Sequence, residues 1–184
     1  MPHIVKSTII DAPTDRVWAV LRDFNGHDSW HPAVATSAIE RGQSSDRIGC
    51  VRRFKLADGA ELREQLLALS DLEQSFSYCL LDTPIPLFNY VAHVRLLPVT
   101  DGDRTFWHWE SRFTTRAGEE QRLTEMVGEQ IYQAGFEQLL GSLAANQRLW
   151  PPCPSAPCGA TPHPALRAPF SRRGRRGWRA PHAG

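Results

Sequence analysis

The chain has 184 residues, enough for one well-buried domain and short for two. Its 41% hydrophobic and 22% charged content is that of an ordinary globular protein, and no run approaches the ~18 apolar residues of a membrane-spanning helix. The net charge of +1 balances unlike parts: residues 151–184 hold six arginines and no Asp or Glu, which leaves 15 Lys and Arg against 20 Asp and Glu before them.

The opening segment from His3 to Ile10 is rich in Ile, Val and Thr and reads as a strand. MPHIVKSTII has neither the basic stretch nor the long apolar core of a secretory leader. Asp11 to Asp15 then opens a helix, with Pro13 near its first turn and Asp15 suited to the positive end of the helix dipole. Val17, Trp18, Val20, Leu21 and Phe24 form its apolar side, and Asn25-Gly26 ends it. His27 to His31 is a second short helical turn, stopped by Pro32. His31 is expected to cap that turn, although a histidine there titrates near neutrality and is also a candidate base.

After a short strand over Thr36–Arg41 comes CVRRFKLADGAELREQLLA, Cys50 to Ala68. Asp58-Gly59 between two alternating runs is a strong hairpin signal, because glycine accepts the positive φ of a tight turn. Alternation places Cys50, Arg52, Phe54 and Leu56 on one face of the first strand, and Leu62, Glu64, Leu66 and Ala68 on one face of the second. Arg52 and Glu64 are equally far from Asp58, so they fall opposite one another on an otherwise apolar face. Burying such a pair is expensive, and two readings stand side by side. The pair either fixes strand register by bonding to itself, or it marks the inside of a ligand cavity.

Three further strands follow. Ser75–Leu81 puts Phe76, Tyr78 and Leu80 on one face. Beyond the stiff loop from Thr83 to Leu87, with its two prolines, Tyr90–Leu97 aligns Tyr90, Ala92, Val94 and Leu96. Thr105–Thr115 aligns Trp107, Trp109, Ser111 and Phe113, with His93 and His108 on the outward, solvated parity. From Glu119 to about Trp150 the period becomes helical: Leu123, Met126/Val127, Ile131, Ala134, Leu139/Leu140 and Leu143 recur every three or four residues. Gly128, Gly135 and Gly141 interrupt this stripe and are expected to permit close approach or a kink.

Residues 151–184 contain eight prolines and no periodic segment, so this tail is expected to be disordered, with a ligand-binding domain over 1–150. Its SRRGRRGWR run is expected to be a solvated extension rather than a nucleic-acid or membrane contact. Cys50 and Cys79 fall in strands and Cys153 and Cys158 in the tail; free thiols in a reducing cytoplasm are the expectation. Cys153, Cys158 and His163 lack the spacing of a zinc module, no metal ligand set is expected, and no nucleotide fingerprint occurs.

The element order predicts an α+β fold: about seven curved antiparallel strands wrapped around one long C-terminal helix, with two short helices after the first strand. That order, with IIDAPTDRVWAVLRDF near the start and FEQLLGSL in the last helix, resembles the START-like, or SRPBCC, helix-grip superfamily. More narrowly it is similar to the polyketide cyclase/dehydrase and lipid-transport branch. WHP, IGCVRRF, LREQLL, PIPLFNY and WHWESRF resemble a subgroup that also contains plant lachrymatory-factor-synthase-like proteins.

The resemblance spans roughly residues 3–147 and implies an internal cavity between sheet and helix for a small hydrophobic molecule, with no cofactor. Trp30, Phe54, Leu66, Tyr90, Trp107, Trp109, Phe113 and Phe136 are then the expected ligand contacts. Two functions follow from it. One is a carrier or sequestering protein. The other is a cofactor-independent cyclase, dehydrase or isomerase in which Glu64 moves a proton while Arg52 and Tyr78 hold a substrate oxygen. A third reading is an accessory protein that docks through its basic tail.

Overall fold

In a computed structural model, residues 1–147 are described; the Pro- and Arg-rich stretch, with Cys153, Cys158 and His163, lies outside them. The alternating runs become seven antiparallel strands in one sheet: β1 (His3–Ile10), β2 (Val34–Ile39), β3 (Val51–Leu56), β4 (Glu61–Ser70), β5 (Ser75–Asp82), β6 (Phe88–Val99) and β7 (Arg104–Thr114). Their spatial order is β1-β7-β6-β5-β4-β3-β2, so the two strands flanking the first helices form the sheet edges. Gly59 takes φ +93° in the β3–β4 turn, as the Asp-Gly pair requires. The resulting register sets Arg52 directly opposite Glu64 and Phe54 opposite Leu62.

Parity holds along β5, β6 and β7 but breaks in β4. A bulge between Leu66 and Ala68 turns Ala68 outward and brings Leu69 against the core, which corrects the expected inward position of Ala68. Strand β2 begins at Val34, two residues earlier than expected, and a single 3₁₀ turn follows it at Glu40–Gly42.

Helix α1 (Thr14–Leu21) starts after Pro13 and buries Val17, Trp18 and Leu21. The Trp18 indole N–H and the Arg22 guanidinium both donate to Asp71, at 2.9 and 2.7 Å, tying α1 to the β4–β5 turn. Helix α2 (His27–Trp30) is one turn long. It ends where His31 becomes extended ahead of Pro32, and Asp28 holds it to β2 by accepting the Ser37 N–H at 3.0 Å.

The predicted C-terminal helix is continuous but not uniform: α3 (Glu120–Glu125) passes through a π-helical segment, Met126–Gln133, into α4 (Ala134–Gln147). The core lies between this helix and the concave face of the sheet, where Trp107, Phe113, Leu66, Leu96, Tyr132, Phe136 and Leu139 are fully buried. No helix among the described residues is long and apolar enough to cross a membrane.

Candidate functional site

One cavity, of about 60 Å³, lies between the sheet and the π-helical segment. Strands β3–β6 contribute Phe54, Leu56, Leu62, Glu64, Tyr78, Leu80 and Tyr90. The rest of the wall is His27 and His31 from the α2 turn, Ala33 and Val34 beyond it, Ile85 and Leu87 from the proline loop, and Met126, Val127 and Ile131 from the helix. The lining is graded. Ala33, Leu56, Leu80, Ile85, Met126 and Ile131 are half-buried and form the mouth, whereas Glu64, Tyr78, Tyr90, His27 and His31 are buried. The polar groups therefore sit deep, behind an apolar entrance.

Arg52 and Glu64 are only 4% and 6% exposed. The Arg52 Nε donates to Glu64 Oε2 at 2.8 Å, its Nη2 donates to the same oxygen, and its Nη1 donates to the Phe24 carbonyl at 2.6 Å. The guanidinium carbon also lies 4.1 Å from the Phe24 ring centroid, a cation–π contact. With both bonds on Oε2, no described residue bonds to Oε1. Glu64 lines the cavity and Arg52 does not, so Oε1 is left as the acceptor for an incoming group. Burial raises the Glu64 carboxyl above its ordinary value, against the opposing pull of Arg52.

Behind Arg52 is a second, smaller void of about 10 Å³, walled partly by Trp30, Trp107 and Trp109. The indoles of Trp107 and Trp109 stack with centroids 5.7 Å apart, and Trp109 also stacks on Tyr132 at 4.2 Å. The Trp109 Nε1–H donates to the Tyr78 hydroxyl at 3.2 Å, and the hydroxyls of Tyr90 and Tyr132 bond at 2.7 Å. Burial raises Tyr78 well above the usual phenol range and Tyr90 to about 12, so both remain protonated hydroxyls near neutrality.

Of the expected contacts, the cavity wall brings together Phe54, Glu64, Tyr78 and Tyr90. Arg52, Trp30, Trp107 and Trp109 stand one layer behind it, around the smaller void. Leu66, Phe113 and Phe136 belong to the solid core and line neither space. His93 is half-buried on the outer face, where its Nδ1 pairs with the Ser77 hydroxyl at 2.8 Å, and His108 is half-buried there too.

The histidines of the α2 turn carry more than the sequence pointed to. His31 Nδ1 accepts the Ala33 N–H at 3.2 Å, which makes Nε2 the protonated nitrogen, and Nε2–H donates to the Ile131 carbonyl at 2.9 Å. His31 thus links the turn to the π-helical segment. Burial lowers its pKa to about 4. Gly135 makes this approach possible: a Cβ there would stand 3.0 Å from His31 Cδ2 and 3.3 Å from the Trp109 ring. His27 packs edge-on to His31, with centroids 4.7 Å apart, and the sequence reading passed over it because a one-turn helix has no periodicity to register. The available signal was the spacing itself, since residues three and four apart share a helix face and His27, Trp30 and His31 have that spacing. Among the described residues no group of His, Cys, Asp or Glu is arranged to hold a metal ion.

A family model described as polyketide cyclase / dehydrase and lipid transport matches residues 1–148. Among solved structures, a protein from Nitrosospira multiformis is 27% identical with TM-score 0.67, over 80% of this chain and 99% of its own. One from Bacillus thuringiensis is 25% identical with TM-score 0.70, over 78% and 99%. An aromatase/cyclase from a Streptomyces species is 23% identical with TM-score 0.65, over 81% and 96%, and shares the fold. No curated protein matches the sequence.

Proposed function

The chain belongs to the polyketide cyclase / dehydrase and lipid transport family, and from that premise we propose that it binds a compact, mostly apolar small molecule, polar end first, in the cavity between sheet and helix. The observation that carries this reading is Glu64, a buried carboxylate in the wall of an apolar space whose Oε1 receives no bond from a described residue, both Arg52 bonds falling on Oε2. A carboxylate oxygen facing an apolar space costs free energy unless a donor bonds to it, and a ligand hydroxyl supplies that bond.

The size of the cavity limits the ligand. About 60 Å³ is several times what one water needs but below the roughly 150 Å³ of a benzene-binding apolar cavity. A short chain or single ring fits once the mouth yields, and Met126 is a flexible side chain suited to yielding. Titration with toluene, followed by amide chemical shifts, tests the reading. Saturable shifts at Leu62, Leu87 and Val127 are expected; shifts confined to other surfaces, or none, overturn it.

The raised carboxyl of Glu64, facing the cavity beside the Tyr78 hydroxyl, supports a second reading as a cofactor-independent cyclase or dehydrase. In it Glu64 takes a proton from carbon next to a carbonyl, and Tyr78 donates to the developing enolate oxygen. Cyclopentanone in deuterated water is the probe. Wild type should speed exchange of its α-hydrogens and Glu64→Gln should not; equal rates dispose of this reading.

A further inference from the structure

The binding reading leaves one polar group of the cavity wall without a task. His27 is 6% exposed, and both of its ring nitrogens are buried without a hydrogen-bond partner. Its ring packs against Trp30, His31 and Phe54, with centroids 4.9, 4.7 and 5.9 Å away, and lines both the cavity and the small void beside it. Most surrounding polar groups are already committed. Both nitrogens of His31 are bonded, the Tyr90 hydroxyl is bonded to Tyr132, and the Tyr78 hydroxyl accepts from Trp109. Three groups therefore remain at the deep end: an acceptor, Glu64 Oε1, a donor, the Tyr78 O–H, and an imidazole with one donor and one acceptor nitrogen.

The charges at this end narrow the ligand class. Glu64 and Arg52 already neutralise one another in a site shielded from water. A carboxylate or phosphate would meet the Glu64 charge with no free cation on the wall, and an ammonium would need a counter-charge that Arg52 has taken. A neutral hydroxyl satisfies Glu64 Oε1 and His27 together, because it donates one hydrogen bond and accepts another.

Resting on the binding reading above, we propose that His27 is the second polar contact of this site, and that the ligand is a neutral alcohol, phenol or enol whose hydroxyl donates to Glu64 Oε1 and accepts from the imidazole N–H of His27. His27 then sets selectivity for a hydroxyl over an apolar group of equal size.

Phenol and toluene, which differ in that group, are the probes, with affinities read from NMR titrations of wild type, His27→Phe and His27→Gln. His27→Phe should weaken phenol about tenfold, the worth of one hydrogen bond, while toluene moves less than about twofold. His27→Gln, which keeps a donor, should restore part of the phenol affinity. In wild-type protein the imidazole nitrogen resonances of His27 should shift on adding phenol and stay put with toluene, a reading that needs no variant to fold. Phenol and toluene weakened equally by His27→Phe, or unmoved imidazole resonances in the phenol complex, overturn the role of His27 while leaving the cavity intact. If neither compound binds wild type, the binding reading itself falls.

Discussion

Arg52 and Glu64 face one another across β3 and β4, and the guanidinium places two N–H groups on a single carboxylate oxygen. Such a pair is stable as a pair. Arg52→Met should cost about 3–5 kcal/mol, because it strands a buried carboxylate and removes the donor from the Phe24 carbonyl. Arg52→Met combined with Glu64→Leu should recover most of that loss. Urea unfolding of the two variants checks this; a double variant no more stable than Arg52→Met would mean that packing, not charge, is what the arginine supplies.

His27 carries an opposite expectation for stability. Replacing its two unbonded nitrogens by carbon in His27→Phe removes a burial penalty of about 1–3 kcal/mol, so the ligand-free variant should melt above wild type. Thermal unfolding followed by circular dichroism gives the answer, and a lower melting temperature would mean that the imidazole is satisfied in solution. A stability gain with a selectivity loss is the pattern of a residue kept for binding.

Acid should weaken the fold through His31. Its pKa is about 4 folded and near 6.5 unfolded, so between those values the unfolded chain holds more protons. This contribution is complete above pH 6.5 and is lost as pH falls toward 4, on the order of 3 kcal/mol in all. His27, lowered by burial and by the Arg52 and His31 charges, adds in the same direction. Glu64, raised when folded, acts in the opposite sense above its unfolded pKa. Urea midpoints at pH 7.5 and 5, compared between wild type and His31→Asn, isolate the histidine; an equal drop in both proteins would exclude it.

Two helical glycines should respond with opposite signs. Gly135→Ala sets a methyl group against His31 and Trp109, both rings hemmed in by neighbours, and should destabilise by roughly 1–3 kcal/mol. Gly141→Ala meets nothing within 4 Å and should stabilise by about 0.5–1 kcal/mol through helix propensity. Equal effects in thermal unfolding would remove the close approach from the account of Gly135.

Strand parity and one Asp-Gly turn were sufficient to place Arg52 opposite Glu64 and to list most of the inward side chains, because a two-residue period survives any amount of sheet curvature. What parity does not carry is depth. Trp107 and Phe113 share the sheet's inward side with Tyr78 and Tyr90, yet only the tyrosines reach the cavity, and that division follows from where the helix presses on the sheet. The bulge at Leu66–Ala68 was hidden for a similar reason, since one inserted residue leaves no mark in a run of Leu and Ala. His27 escaped because its importance lies in bonds it lacks.

One inward row of the C-terminal helix, with Tyr132 and Phe136 buried beside it, keeps an interval of four: Leu123, Val127, Ile131, Gly135, Leu139, Leu143. In an α-helix every such step overshoots a full turn by about 40°, so five steps would carry the row to the far side. The π turn at Met126–Gln133 takes up the excess and returns the row to the sheet. This helix therefore cannot change its length there. Deleting the exposed Gln130 would let the segment relax to α-helical bonding, and either Ile131 would leave the cavity or Leu139 and Leu143 would leave the core. The chain can lengthen or shorten at its hairpin turns, but along this helix the number of residues is itself fixed by the wall it has to build.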